Sequence, residues 1–237
     1  MKIAVINFSG NVGKSTVARH LLSPRMPNAG LVAVETINAD SASDNRIRGA
    51  DFGKLQRDLQ LENDAIVDVG ASNVEQFMAL MKQYHESHED FDLYLVPTVP
   101  VPKQQRDTTE CIVELAELGV PAHKIFVVFN LVEPGLDVKA TFEPIFSFAE
   151  GTHMCMVDPQ AVIYKNDVFG LIRNSDNESL SDVVNDTTDY KAAIKNATAP
   201  SEKMALAERL SVCRLAVGAN ANLDLVFERV MLSCQAG

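Results

Sequence analysis

Residues 6–22 read INFSGNVGKSTVARHLL. An apolar run leads into Gly10 and Gly13, then Lys14, Ser15 and Thr16, then a helical pattern. That order of residues makes a pocket for phosphate. Consecutive backbone N–H groups in a glycine-rich turn converge into an anion-binding nest. A helix opening near Lys14 adds the positive end of its dipole. Gly10 and Gly13 permit the turn and let phosphate approach the main chain; Ser9, Asn11 and Val12 complete the loop. Lys14 is spaced to reach β- and γ-phosphates, Ser15 to place its hydroxyl on Mg²⁺, and Thr16 to donate to an α-phosphate.

A magnesium shell also needs an acid from another strand. Asp68 ends the apolar run of AIVDVG (65–70), where a carboxylate can hold a metal-bound water; it could also cap the next turn. A residue that orients an attacking water is expected in VETINADSASD (34–44). The candidates are Glu35 and Asp40, with Asp40 preferred because it should lie just beyond the strand tip; either could instead be a surface acid. The five histidines show no metal-ligand spacing. His85 and His88 read as a solvated helix end.

The elements that must position these residues alternate in type. Residues 2–8, 31–37, 65–70, 92–99 and 124–130 form short, nearly continuous apolar runs, and 154–158 is a weaker sixth. Such runs suit strands covered on both faces. Between them, Ser72 and Glu75 have capping-box spacing ahead of the stripe Val74, Phe77, Met78, Met81. A helix is expected over about 105–118, with Ile112, Leu115 and Leu118 inward and Gly119 as its stop. Strand–helix alternation predicts an α/β fold, a mainly parallel sheet with helices on both faces. Residues 174–189 carry five acids and no base and read as a solvated loop, or alternatively as a partner-recognition loop. Two C-terminal helices are expected to pack on the sheet. One carries Leu206, Leu210, Cys213 and Val217 inward, the other Leu223, Val226, Phe227, Val230 and Met231. The chain reads as one domain, with its motifs in 1–160 and a helical part in 161–237.

Bulk properties narrow the classes. The 237 residues are 46% hydrophobic with a net charge of −11, which excludes a largely disordered chain and gives no general attraction to nucleic acid or anionic membrane. The four cysteines are far apart and form no CxxC pair, so reduced thiols are expected. The N-terminal apolar run is too short for a signal-peptide core. The longest apolar run is broken by Pro97, Pro100 and Pro102, so no membrane insertion is expected. The expected location is the cytoplasm.

The segments SGNVGKST, AIVDVG, LVPTVPVPKQQRDT and FVVFN, in that order over residues 1–160, resemble the partition ATPase superfamily of ParA, Soj and MinD. Among these, the plasmid StbB and TraL-type proteins are the nearest in pattern. The resemblance implies a phosphate-loop NTPase that binds ATP and ADP with Mg²⁺, forms a nucleotide-dependent homodimer and releases it on hydrolysis. It implies a role in plasmid stability, partition or conjugative transfer. By motif match, Lys14, Ser15 and Thr16 take the phosphate and metal roles, Asp68 holds the metal shell and Asp40 orients water. Asn130 matches an adenine-contacting asparagine, although ending a strand would also explain it. The faint guanine-motif echo in NLVE (130–133) lacks its lysine and aspartate, so adenine is preferred.

Two departures stand out. The family's signature lysine, which reaches the partner subunit's phosphates, is replaced by Ser9, and its second glycine by Asn11. Losing such a charge can cost on the order of 10³–10⁵ in rate, by analogy with arginine fingers. Lys103, Arg106, Arg46 or Arg48 could supply a substitute. The basic residues of the last third are interleaved with acids. DNA contact is therefore assigned to a plasmid-encoded DNA-binding partner rather than to this chain. Three functions stay open: a slow ATPase switch, a nucleotide-holding scaffold without turnover, and a small-molecule kinase.

Overall fold

The apolar runs pair into one sheet. In the computed structural model, which describes residues 1–34, 46–47, 52–173 and 179–235, the strands are β1 (Lys2–Val5), β2 (Gly30–Val34), β3 (Arg46–Ile47), β4 (Ala65–Val69), β5 (Leu93–Thr98), β6 (Ile125–Val132) and β7 (Met156–Tyr164). They lie in the order β3-β2-β4-β1-β5-β6-β7, and every neighbouring pair is parallel. The six expected strands are all present; the two-residue β3 is an addition. β7 runs on past the expected end at 158. Its register against β6 jumps from Val157 opposite Val127 to Val162 opposite Phe129, and the exposed Pro159 sits in that irregularity on the edge strand, where a missing N–H costs no ladder bond.

Side chains alternate across each strand and feed two cores. On one face, Ala4, Val67, Val96 and Val127 meet α2 (Phe52–Leu61), α3 (Val74–Gln83), α4 (Pro102–Glu117) and α6 (Glu143–Thr152), which follows the single turn α5 (Val138–Thr141). On the other, Ile3, Val5, Ile66 and Leu95 meet the helix that follows the phosphate loop. That helix opens as α1 (Lys14–Thr16) and continues with π-type bonding over Val17–Leu22. α7 (Val168–Arg173), α8 (Leu180–Val184) and α10 (Pro200–Gln235) complete this face, and α9 (Tyr190–Asn196) packs against α10. Arg25 ties the two neighbouring helices together. It donates to the end-of-helix carbonyls of His20 and Leu21 and pairs with Asp224 of α10 at 2.6 Å.

Several helical expectations need correction. The stripe Val74, Phe77, Met78, Met81 is buried, but Ser72 is not its cap. Residues Ala71–Asn73 form a 3-10 turn and α3 starts after Asn73, whose side chain makes no capping bond. α4 begins at Pro102, where a missing N–H is harmless; Gly119 ends it at φ +98°. Ile112 and Leu115 are buried, Leu118 half-buried. His88 lies on a 3-10 turn, not on α3.

The last third differs most. The two expected helices are one, because Gly218 inside α10 costs only about 1 kcal/mol and packing on the sheet outweighs it. Ala216, Ala219, Leu223, Val226 and Val230 are buried. Val217, expected inward, is 55% exposed, since a straight helix through 219 turns it to solvent. By length and composition alone, Pro200–Cys234 could cross a membrane, which the broken apolar runs did not suggest. The acidic stretch is not simply loop. Ser179 and Asp182 form a capping box for α8, Asp186 accepts from Tyr190 and pairs with Arg209 at 3.2 Å, and Asp189 caps α9. Residues 174–178 lie outside the described residues.

Candidate functional site

The chain leaves β4 on one side of β1 for β5 on the other, so the direction of winding switches at β1. The carboxyl ends of strands beside such a switch form a crevice. The segment after β1 turns there. Asn11 at φ +58° and Gly13 at φ +86° are both left-handed, and Gly13 caps the helix that begins at Lys14. A Cβ on Gly13 would lie 2.0 Å from the Asn130 amide nitrogen, so only glycine fits.

Lys14 is 7% exposed and folds back over the loop, donating to the carbonyls of Asn7 at 2.9 Å and Ser9 at 2.7 Å. Burial lowers its pKa to about 8, against the pull of Asp68 and Cys111. A desolvated ammonium is a strong anion ligand, because its charge lacks a water shell. Asp68, 5% exposed, sits opposite Val5 on one side and Ala33 on the other. By strand alternation it shares the face of Ile66, the face of the phosphate-loop helix. Ser15 is exposed and Thr16 half-buried on the first turn. The structure therefore brings Ser9 to Thr16 and Asp68 together. Asp40 and Glu35 lie outside the described residues, as does Arg48; of Arg46 only the backbone is described.

Asn130, at 1% exposure, donates from Nδ2 to the Val12 carbonyl at 2.8 Å. The segment PVPKQQRDT, which the family resemblance sets beside the nucleotide, opens α4 and supplies further contacts to the loop. Ser9 Oγ donates to Asp107 Oδ2 at 2.7 Å, and Lys103 Nζ to the same oxygen at 3.0 Å. The Asp107 carboxyl is held below its usual pKa first by the Ser9 hydroxyl and then by Lys103. Gln104 Nε2 donates to the Gly10 carbonyl at 3.0 Å. Asn7 gives its amide to Pro97 and to Thr108 of α4, and its Oδ1 accepts from the Ser9 N–H. The signal was the polar spacing Gln104, Asp107, Thr108, one face of a helix. Arg106 is exposed and Lys103 is bound to Asp107.

The donor set fits a bound polyphosphate. It offers a left-handed glycine cradle with no room for a side chain, a buried ammonium, and a carboxylate on the adjoining strand. No protein-family profile matches the chain, and no curated protein matches it. Two solved structures of McdA from Cyanothece are similar to it. The apo form is 14% identical, with 98% of each chain covered and a TM-score of 0.51. An aspartate-to-alanine variant in complex with ATP is 15% identical over 89% of this chain and 96% of that one, with a TM-score of 0.49. The apo likeness and the sheet order agree on the fold, an α/β phosphate-loop NTPase fold with a C-terminal helix packed on the sheet.

Proposed function

We propose that this chain is an ATP-binding switch of the ParA/MinD type that acts in plasmid stability, partition or conjugative transfer and cycles through a nucleotide-dependent homodimer. The observation that carries the reading is Lys14, a buried ammonium lying on the carbonyls of a left-handed phosphate loop beside Asp68. Its charge can leave those carbonyls for a phosphate at little further desolvation cost. Ser15 and Asp68 would hold Mg²⁺, which supplies charge neutralisation at the β- and γ-phosphates when bound. In this reading Thr16 donates to the α-phosphate and Asp40 orients the water.

A second reading, a nucleotide-holding scaffold without useful turnover, draws on a specific contact. Ser9 stands where a phosphate-reaching lysine is expected, its hydroxyl is held by Asp107, and Lys103 is paired with that same acid. Among the described residues, no cation within the loop besides Lys14 is then placed to meet a developing charge on the γ-phosphate. ATP turnover measured beside ATP binding, with Lys14→Ala as control, separates the two. Slow phosphate release that Lys14→Ala abolishes supports the switch; tight binding with no release, with or without added DNA, supports the scaffold. ATP affinity unchanged in Lys14→Ala would remove both.

A further inference from the structure

Two side chains grip the phosphate loop from outside it. Gln104 of α4 holds the Gly10 carbonyl and Asn130 of β6 holds the Val12 carbonyl, at 3.0 and 2.8 Å. In a planar trans peptide the C=O and the following N–H point to opposite sides. A grip on the Gly10 carbonyl therefore aims the Asn11 N–H the other way, and a grip on the Val12 carbonyl does the same for the Gly13 N–H. These are the two residues of the loop with left-handed backbone, a conformation that costs energy for the non-glycine Asn11. The grips are placed where the loop needs holding.

Asn130 is built for this task. Its residue is 1% exposed, its amide nitrogen is committed to Val12, and its Cγ lies 3.2 Å from where a Gly13 Cβ would be. Its Oδ1 is buried with no hydrogen-bond partner among the described residues, while its Nδ2 is committed to the loop.

We infer that Asn130 and Gln104 are positioning residues that orient the Asn11 and Gly13 N–H groups toward bound phosphate, so that Asn130 acts on phosphate binding through the loop. This rests on the nucleotide reading of the same loop. The test titrates ATP and inorganic tripolyphosphate, which has no base, into the full chain and into Asn130→Ala, Asn130→Thr and Gln104→Ala. Each of these uncharged variants loses one neutral hydrogen bond to the loop, so each should weaken both ligands alike, by about tenfold. Amide exchange at Asn11 and Gly13 in the ligand-free protein should quicken in the same variants. Ser87→Ala, which removes an equally buried polar contact far from the loop, should leave both affinities unchanged whatever it does to the melting temperature.

An Asn130 variant that weakens ATP but not tripolyphosphate would overturn the inference in favour of a base contact. Equal losses in Ser87→Ala would overturn it in favour of a general stability effect. If Asn130→Ala does not fold, Asn130→Thr, which nearly keeps the volume and adds no charge, and the half-buried Gln104→Ala decide. Wild-type protein that binds neither ligand would instead remove the nucleotide reading, a failure distinct from variants that match a binding wild type.

Discussion

The two ends of the sheet are built differently. At the amino ends of the strands, polar groups meet at the surface. The Met1 amino group reaches Asp64, the Lys2 N–H donates to Asp92, and Lys124 donates to the Phe91 carbonyl. At the carboxyl ends of β1, β4, β5 and β6 the polar groups go inside: Asn7, Ser9, Lys14, Asp68, Thr98, Thr108 and Asn130 are all buried. Surface pairs are worth little either way, whereas each buried polar group must be hydrogen-bonded or costs several kcal/mol. A chain selected for stability alone would not gather them at one end. The contrast locates the site without reference to any relative, because a desolvated charge is costly to keep unless a ligand offsets it.

The contrast can be broken or sharpened by substitution. The largest stability effect should come from the apolar support common to both ends. Leu223→Ala on α10, at 0% exposure, should cost about 2–5 kcal/mol in chemical denaturation yet leave ATP affinity in the surviving folded fraction unchanged. A parallel loss of affinity would mean that α10 shapes the site. Next is a pair of glycines. Gly13→Ala places a Cβ at φ +86° against Asn130 and should cost roughly 2–3 kcal/mol together with nucleotide binding. Gly30→Ala at the amino end of β2 meets open space and should stay within about 1 kcal/mol with binding intact. Similar outcomes for the two would erase the difference between the ends.

Lys14 gives a pH signature. Its folded pKa of about 8 lies below the ordinary 10.5. Between those values the unfolded chain holds more protons, so stability should rise with pH in that window. Below about pH 8 both states are protonated and the cost of the buried charge is complete. The stability of wild type relative to Lys14→Met should therefore climb by about 2–3 kcal/mol from pH 8 to 10.5. A flat difference would mean the ammonium is well solvated. The smallest expected effect concerns the metal. Asp68→Ala should weaken ATP binding more with Mg²⁺ than without it, and equal losses would count against a metal role.

Local information carried most of the fold and part of the site. The strands were legible because each is a continuous apolar run, Lys14 because the glycine turn before it follows such a run, and Asp68 because it stands near the end of one. What failed depended on tertiary context. Two separate apolar stripes, ending at Val217 and resuming at Leu223, suggested two helices that packing joins into α10, and Ser72 had the spacing of a cap one residue before the one the chain uses. The loop's supports were legible only in part: Asn130 stands out as a base contact and PVPKQQRDT as a segment of the family pattern, but neither as a grip on the loop. Gln104 and Asn130 meet carbonyls 94 and 118 residues earlier, and nothing local to either marks that partnership. Asp107 lies in that same segment, but its role as the partner of Ser9 shows only in the fold.

The most direct measurement is a calorimetric titration of MgATP into the purified wild-type chain and Lys14→Met. Saturable one-to-one binding per chain that the variant loses by at least about a hundredfold is the predicted result. Equal binding by the two proteins, or none by the wild type, would contradict the claim that this loop holds a nucleotide.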